Sequence, residues 1–124
     1  MLAFSNDYYG FIFRATQSVE LFCAYTLNPE LDKREVLINS VMGLCGEAGE
    51  AIDIVKKWMA QGHELDKEHL KSELGDIAWY LAEAATALDI SLEEVFQANI
   101  DKLKKRYPKG FDAEKSLVRL KGDI

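Results

Sequence analysis

An all-α domain is the fold class this sequence predicts, and three observations carry the prediction. Apolar residues recur every three or four positions through successive segments, helix start and stop signals separate those segments, and no alternating strand pattern of useful length occurs. Neither a low-complexity tract nor a repeat of solenoid period interrupts the chain. At 124 residues the length suits a single domain, and the segments number four, so a four-helix, bundle-like arrangement is expected.

From about Asp7 to Thr26 the apolar positions Phe11, Ala15, Val19, Phe22 and Cys23 mark a first amphipathic helix. Asn28-Pro29 ends it, because proline lacks a donor and disfavours helical geometry in the residue before it. Asp32, with Glu35 three residues on, reads as the capping box of a second and longest helix through Val36, Leu37, Val41, Leu44, Ala48, Ala51, Val55 and Trp58 or Met59. Gly43, Gly46 and Gly49 fall inside it, each costing up to about 1 kcal/mol of helix propensity relative to alanine. Close approach of a neighbouring helix or a ligand to the backbone is the physical compensation for such glycines. At about 100° per residue the seam Leu37, Leu44, Ala51 and Val55 leaves Glu47 and Glu50 together off one side.

Gln61-Gly62 supplies a left-handed stop, His63 to Asp66 a short connection, and Asp66 the next N-cap. So short a connection predicts antiparallel neighbours. A third helix over about Lys67 to Leu88 has its seam at Leu70, Leu74, Ile77, Leu81, Ala84 and Leu88, with Glu73, Asp76, Tyr80 and Glu83 in a polar stripe alongside. Ser91-Leu92-Glu93-Glu94 is the capping box of a fourth helix through Val95, Phe96, Ile100 and Leu103 to about Arg106, stopped by Pro108 and Gly110. The tail, 112–124, is expected to form a short helical turn or two and fray.

Composition narrows the function classes. A net charge of −6 argues against a nucleic-acid polymer as partner, since backbone binding needs clustered Lys and Arg over an extended surface. A basic cluster near the end (Lys102, Lys104, Lys105, Arg106, Lys109) still suits a small polyphosphate, or simply a solvated helix end. No apolar run approaches bilayer length and the start lacks a basic leader and cleavage site, so a cytoplasmic protein without membrane contact is expected. Cys23 and Cys45 sit singly in apolar patterns, which predicts reduced, buried thiols.

The chemistry concentrates in two acidic pairs, Glu47/Glu50 and Glu73/Asp76, each spaced i, i+3 so that both carboxylates share one helix face. Taken singly, such acids are solvated surface carboxylates. Two pairs on adjacent antiparallel helices, each beside an apolar seam and small residues, bring four carboxylates to one place. Without a cation these would repel and protonate. His63 and His69 lie outside both pairs, so a Glu-x-x-His di-iron bundle is disfavoured and an all-oxygen set remains. That set suits Mg²⁺ first and Mn²⁺ second. Lys56, Lys57, Tyr80, Asn99, Lys102, Arg106 and Tyr107 are candidate phosphate ligands. Phe11, Phe22, Trp58 and Trp79 are aromatics for base stacking or for the core.

At these residues the chain resembles the MazG-like nucleotide pyrophosphohydrolases of the all-α NTP pyrophosphatase superfamily. The family pattern E-x-x-E followed by E-x-x-D stands here as Glu47-Ala48-Gly49-Glu50 and Glu73-Leu74-Gly75-Asp76, and the likeness extends over about 36–111 through the Tyr107-Pro108-Lys109-Gly110-Phe111 segment. Gly46 stands where many members carry a second acid. The resemblance implies Mg²⁺-dependent hydrolysis of an NTP or dNTP at the α–β bond, giving a nucleoside monophosphate and pyrophosphate, with a role in nucleotide-pool house-cleaning. Glu47, Glu50, Glu73 and Asp76 are then the metal and catalytic residues. It also implies a homo-oligomer, a dimer or a dimer of dimers. A phosphoribosyl-ATP pyrophosphohydrolase and a non-catalytic helical dimerisation module are the alternatives.

Overall fold

The computed structural model describes Gln17 and residues 32–110; of the expected first helix only Gln17, helical and exposed, is among them, and the tail 112–124 lies outside. The described residues form three helices and no strand: α1 (Lys33–Gln61), α2 (Lys67–Ala87) and α3 (Leu92–Arg106). They fall into two compact units divided between Leu92 and Glu93.

Local chemistry sets the helix ends. The Asp32 carboxylate accepts from the Arg34 backbone N–H at 3.1 Å, satisfying one of the donors that a helix start leaves unpaired. Gly62 stops α1 in the left-handed region (φ 72°) with its N–H donated to the Lys57 carbonyl. Asp66 caps α2 by accepting from the His69 backbone N–H at 2.9 Å. Beyond α2 the chain turns through Asp89 at φ 57°, a conformation aspartate tolerates better than most side chains. The Lys33 ammonium binds both Asp89 carboxylate oxygens, at 2.5 and 2.6 Å. The pair is exposed and contributes little, but it ties the start of α1 to the end of α2.

α1 and α2 pack as antiparallel neighbours. Lys33 meets Asp89, Asn39 hydrogen-bonds Glu83, Gly43 lies under Tyr80, and Glu47 meets Glu73 and Asp76, so residue number rises on one helix as it falls on the other. Val36, Ser40 and Ile54 are buried on α1, and Ala82 and Ala85 on α2, with Leu92 closing that unit. Small residues let the backbones approach. The Ser40 hydroxyl, fully buried, donates to the Val36 carbonyl at 2.8 Å, so its burial leaves no donor orphaned.

The buried faces are rotated from the expected seams. Val36, Ser40, Glu47 and Ile54 return to one side of α1 at spacings of four, seven and seven, which places Glu47 in the contact stripe and not beside it. On α2 the polar stripe turns inward: Glu73 and Glu83 are buried, whereas Leu74 and Leu88 are 56% and 53% exposed. Val41, Ala48, Trp58 and Met59, part of the apolar period that marks this helix, are exposed, and the expected seam residues Leu37, Leu44, Ala51 and Val55 are half-buried. Cys45 corrects a further expectation, being an exposed free thiol. The acids sit where an apolar periodicity would have put leucine.

In the second unit α3 opens with Glu93 and Glu94 and closes with Lys104, Lys105 and Arg106, both ends matched to the helix dipole. Tyr107 N–H donates to the Leu103 carbonyl and Gly110, at φ 98°, donates to Tyr107, so the helix ends in a turn about Pro108. Among the described residues no helix is long and apolar enough to cross a membrane.

Candidate metal centre

Three of the four sequence-predicted acids converge. Glu47 of α1 and Glu73 and Asp76 of α2 each offer a carboxylate oxygen, and these oxygens lie within 4.8 Å of one another. The i, i+3 spacing puts Glu73 and Asp76 on one side of α2, and the antiparallel register sets Glu47 opposite them. Glu73 is buried, Glu47 half-buried and Asp76 exposed, so the cluster runs from the helix contact out to the surface. Glu50 stands outside the group, one turn along α1.

The electrostatics are those of a site short of positive charge. Loss of water contact pushes the Glu47 carboxyl above its ordinary value; a carboxyl–carboxyl hydrogen bond with Glu73 and the charges of Asp76, Glu50 and Glu73 push it the same way. A hard divalent ion would offset that repulsion and satisfy all three oxygens, which is the fit expected of a carboxylate-only donor set.

Beside the cluster lies a cavity of about 530 Å³, lined by Gly46, Gly49 and Glu50 of α1, by the His63–Asp66 connection and by His69 of α2, among others. Its volume is that of a small-molecule site. The three α1 glycines serve different ends. A Cβ on Gly43 would come within 2.4 Å of the Tyr80 ring, so this glycine lets the ring lie across the α1 backbone. Gly46 and Gly49 meet nothing within 4 Å and instead leave the cavity wall open.

The other predicted site residues divide by position. Lys56 and Lys57 both bind Asp53, each at 2.6 Å, and these hydrogen bonds, that of Lys56 first, hold the Asp53 carboxyl down to about 2. Lys57 lines the cavity. Tyr80 is half-buried over Gly43. Asn99, Lys102 and Arg106 follow one another along one side of α3 with Tyr107 next in the chain, all in the second unit. Trp58 is 47% exposed, Trp79 half-buried, and Phe11 and Phe22 lie outside the described residues.

Two polar groups escaped the sequence reading. The His69 imidazole Nε2 lies 2.9 Å from Glu73 Oε1, although the residue falls outside both acidic pairs. Its i, i+4 spacing to Glu73 was the available signal. Glu83 is buried, accepts from Asn39 and has its Oε2 unpartnered; burial pushes its carboxyl up against the opposing effect of the Asn39 bond. Three residues before it, Tyr80 crosses Gly43, so the polar stripe of α2 is packed on α1 along several turns.

Comparison with known proteins agrees with the site. A family model described as the MazG nucleotide pyrophosphohydrolase domain matches residues 38–111, a span that contains both acidic pairs. The chain is also similar to the Gene 37 protein of Mycobacterium phage L5, at 39% identity over 85 residues that cover 65% of this chain and 75% of that protein. No solved structure matches. With the family model extending over more than half of its length, the chain belongs to the MazG nucleotide pyrophosphohydrolase domain family.

Proposed function

We propose that the protein hydrolyses a nucleoside triphosphate, NTP or dNTP, at the α–β bond with Mg²⁺ as cofactor and Mn²⁺ as a substitute. The observation that carries the reading is the convergence of the Glu47, Glu73 and Asp76 oxygens beside a ligand-sized cavity. Family membership supports the pyrophosphohydrolase class, and the Mg²⁺ requirement, bond and substrate are our proposal. When bound, the divalent ion supplies charge that neutralises the triphosphate and acidifies the attacking water.

The chain's residues divide the remaining work. Glu47, Glu73 and Asp76 hold the ion. Glu50, on the cavity wall and outside the cluster, accepts the proton as the water oxygen bonds to the α phosphorus and the α–β bridging oxygen leaves with pyrophosphate. Lys57 can exchange its Asp53 partner for a phosphate oxygen within the same cavity. Lys56, Tyr80, Asn99, Lys102, Arg106 and Tyr107 remain candidates for further phosphate contacts, and Phe22, Trp58 and Trp79 for stacking on the base. Exposed apolar side chains on α1, Ile38, Met42, Ile52 and Met59 among them, support a homodimer or homotetramer. We assign the protein to the cytoplasm and to nucleotide-pool house-cleaning.

Ion-exchange analysis of the products from a panel of NTPs, dNTPs and phosphoribosyl-ATP tests the proposal. A monophosphate plus pyrophosphate, formed with Mg²⁺ and abolished by chelator, is the expected result. Release of diphosphate and orthophosphate would refute the bond assignment, and turnover confined to phosphoribosyl-ATP would refute the substrate class. No turnover of any substrate, with Mg²⁺ failing to raise the melting temperature, would favour a non-catalytic helical module.

A further inference from the structure

We infer that His69 is a positioning residue of the metal centre: its Nε2, 2.9 Å from Glu73 Oε1, pairs with the carboxylate that the ion must meet and fixes it. The inference rests on the proposed metal role of the acidic cluster. It adds a residue that lies in neither acidic pair.

The geometry is built from the backbone outward. Asp66 caps α2 by accepting from the His69 backbone N–H at 2.9 Å, which anchors His69 in the first helical turn. One turn on, Glu73 falls on the same side, and the imidazole Nε2 lies 2.9 Å from its Oε1. The two ends of this contact are unequal in burial. The Glu73 side chain is 8% exposed and the His69 side chain 54% exposed. A carboxylate taken that far from water needs a donor to orient it, whereas a half-exposed imidazole gives up little hydration to provide one. With Oε1 held, rotation of the Glu73 carboxylate is restricted, and the group is presented to Glu47 and Asp76 in one orientation.

An ordinary surface pair between helix neighbours does not account for the arrangement, because the acid it serves is among the most buried polar side chains described and belongs to the three-acid cluster. His69 also lines the cavity together with Glu50 and Lys57. It therefore stands between the cavity and the most buried acid of the cluster. Donors to ligating carboxylates matter to metal affinity by about 10–100-fold when they are removed.

Titration of the metal-free full-length chain with Mn²⁺ by calorimetry, at one fixed pH, tests this without any turnover. His69→Ala and His69→Phe, the latter keeping a ring without the donor, should each weaken Mn²⁺ binding by about 10–100-fold. His69→Gln, which restores an N–H donor, should recover most of that loss. Melting temperatures without metal should stay near wild type, since the side chain is half-exposed, while the Mn²⁺-induced rise in melting temperature should shrink in the Ala and Phe variants. Wild-type Mn²⁺ affinity in His69→Ala or His69→Phe, alongside loss of binding in Glu73→Gln, would overturn the role of His69 and leave the metal site standing. Wild-type affinity in Glu73→Gln would overturn the metal reading itself and the inference with it.

Discussion

Replacing each α1 glycine by alanine should separate a packing glycine from a cavity glycine. At Gly43 the new Cβ would sit 2.4 Å from Cε1 and Cζ of Tyr80 and 2.7 Å from Cδ1. Carbon atoms in favourable contact stand about 3.5–4.0 Å apart, so the ring or the helix pair must give way by roughly 1 Å. Overpacking of this kind costs about 1–3 kcal/mol. Alanine returns up to about 1 kcal/mol of helix propensity, leaving Gly43→Ala destabilising by about 0–2 kcal/mol. At Gly46 and Gly49 nothing lies within 4 Å, so only the propensity term remains and each substitution should stabilise by up to about 1 kcal/mol. Urea unfolding of the metal-free chain measures the three values. Repeating Gly43→Ala in a Tyr80→Ala background removes the collision, and the substitution should then stabilise like the other two, a coupling of about 1–3 kcal/mol. A Gly43→Ala protein as stable as Gly46→Ala, or a cycle without coupling, would refute the placement of Tyr80 across α1.

The same substitutions should have a functional cost at the other two positions. Because Gly46 and Gly49 line the cavity, Gly46→Ala and Gly49→Ala should raise KM for the nucleotide in steady-state assays while leaving the fold as stable or more so. Glu73→Gln or Asp76→Asn should lower kcat by at least about 10²-fold, and the double variant should be little worse than the worse single, since the acids hold one ion together. Glu83→Gln should stabilise the chain by about 1 kcal/mol near neutral pH, by removing a charge whose Oε2 is buried without a partner. The folded-state carboxyls of Glu47 and Glu83 are raised above their ordinary 4.5, so their contribution is fully present below that value and is lost as pH rises through the folded-state values. Asp53 has the opposite sign: its contribution is present above 3.8 and is lost as pH falls toward about 2. Melting temperatures of the metal-free protein should therefore decline as pH rises above 4.5, with the decline reduced in Glu83→Gln and reversed by Mg²⁺.

Local signals in the sequence were sufficient to find the helices. Asp32, Gly62 and Asp66 act over one turn, so the ends of α1 and α2 and the short connection between them could be read without knowing what they pack against. The acidic pairs were legible for the same reason: an i, i+3 spacing fixes a shared helix face. That the pairs would meet followed from the short connection, which makes the helices antiparallel neighbours. Rotation of each helix about its own axis is a tertiary property, and here periodicity misled. Leu74 and Leu88 were expected inside and lie outside, while Glu73 and Glu83 are buried. Apolar periodicity assumes that burial follows hydrophobicity, and a helix contact built around carboxylates breaks that assumption. Gly43 had a legible cost in the sequence, but its partner Tyr80 lies on another helix, and only the packed register names it. Likewise, which acids converge and which one faces the cavity depends on a few tens of degrees of helix rotation. Packing decided it, setting Glu47 against Glu73 and Asp76, leaving Glu50 on the cavity wall and bringing His69 into contact with the cluster.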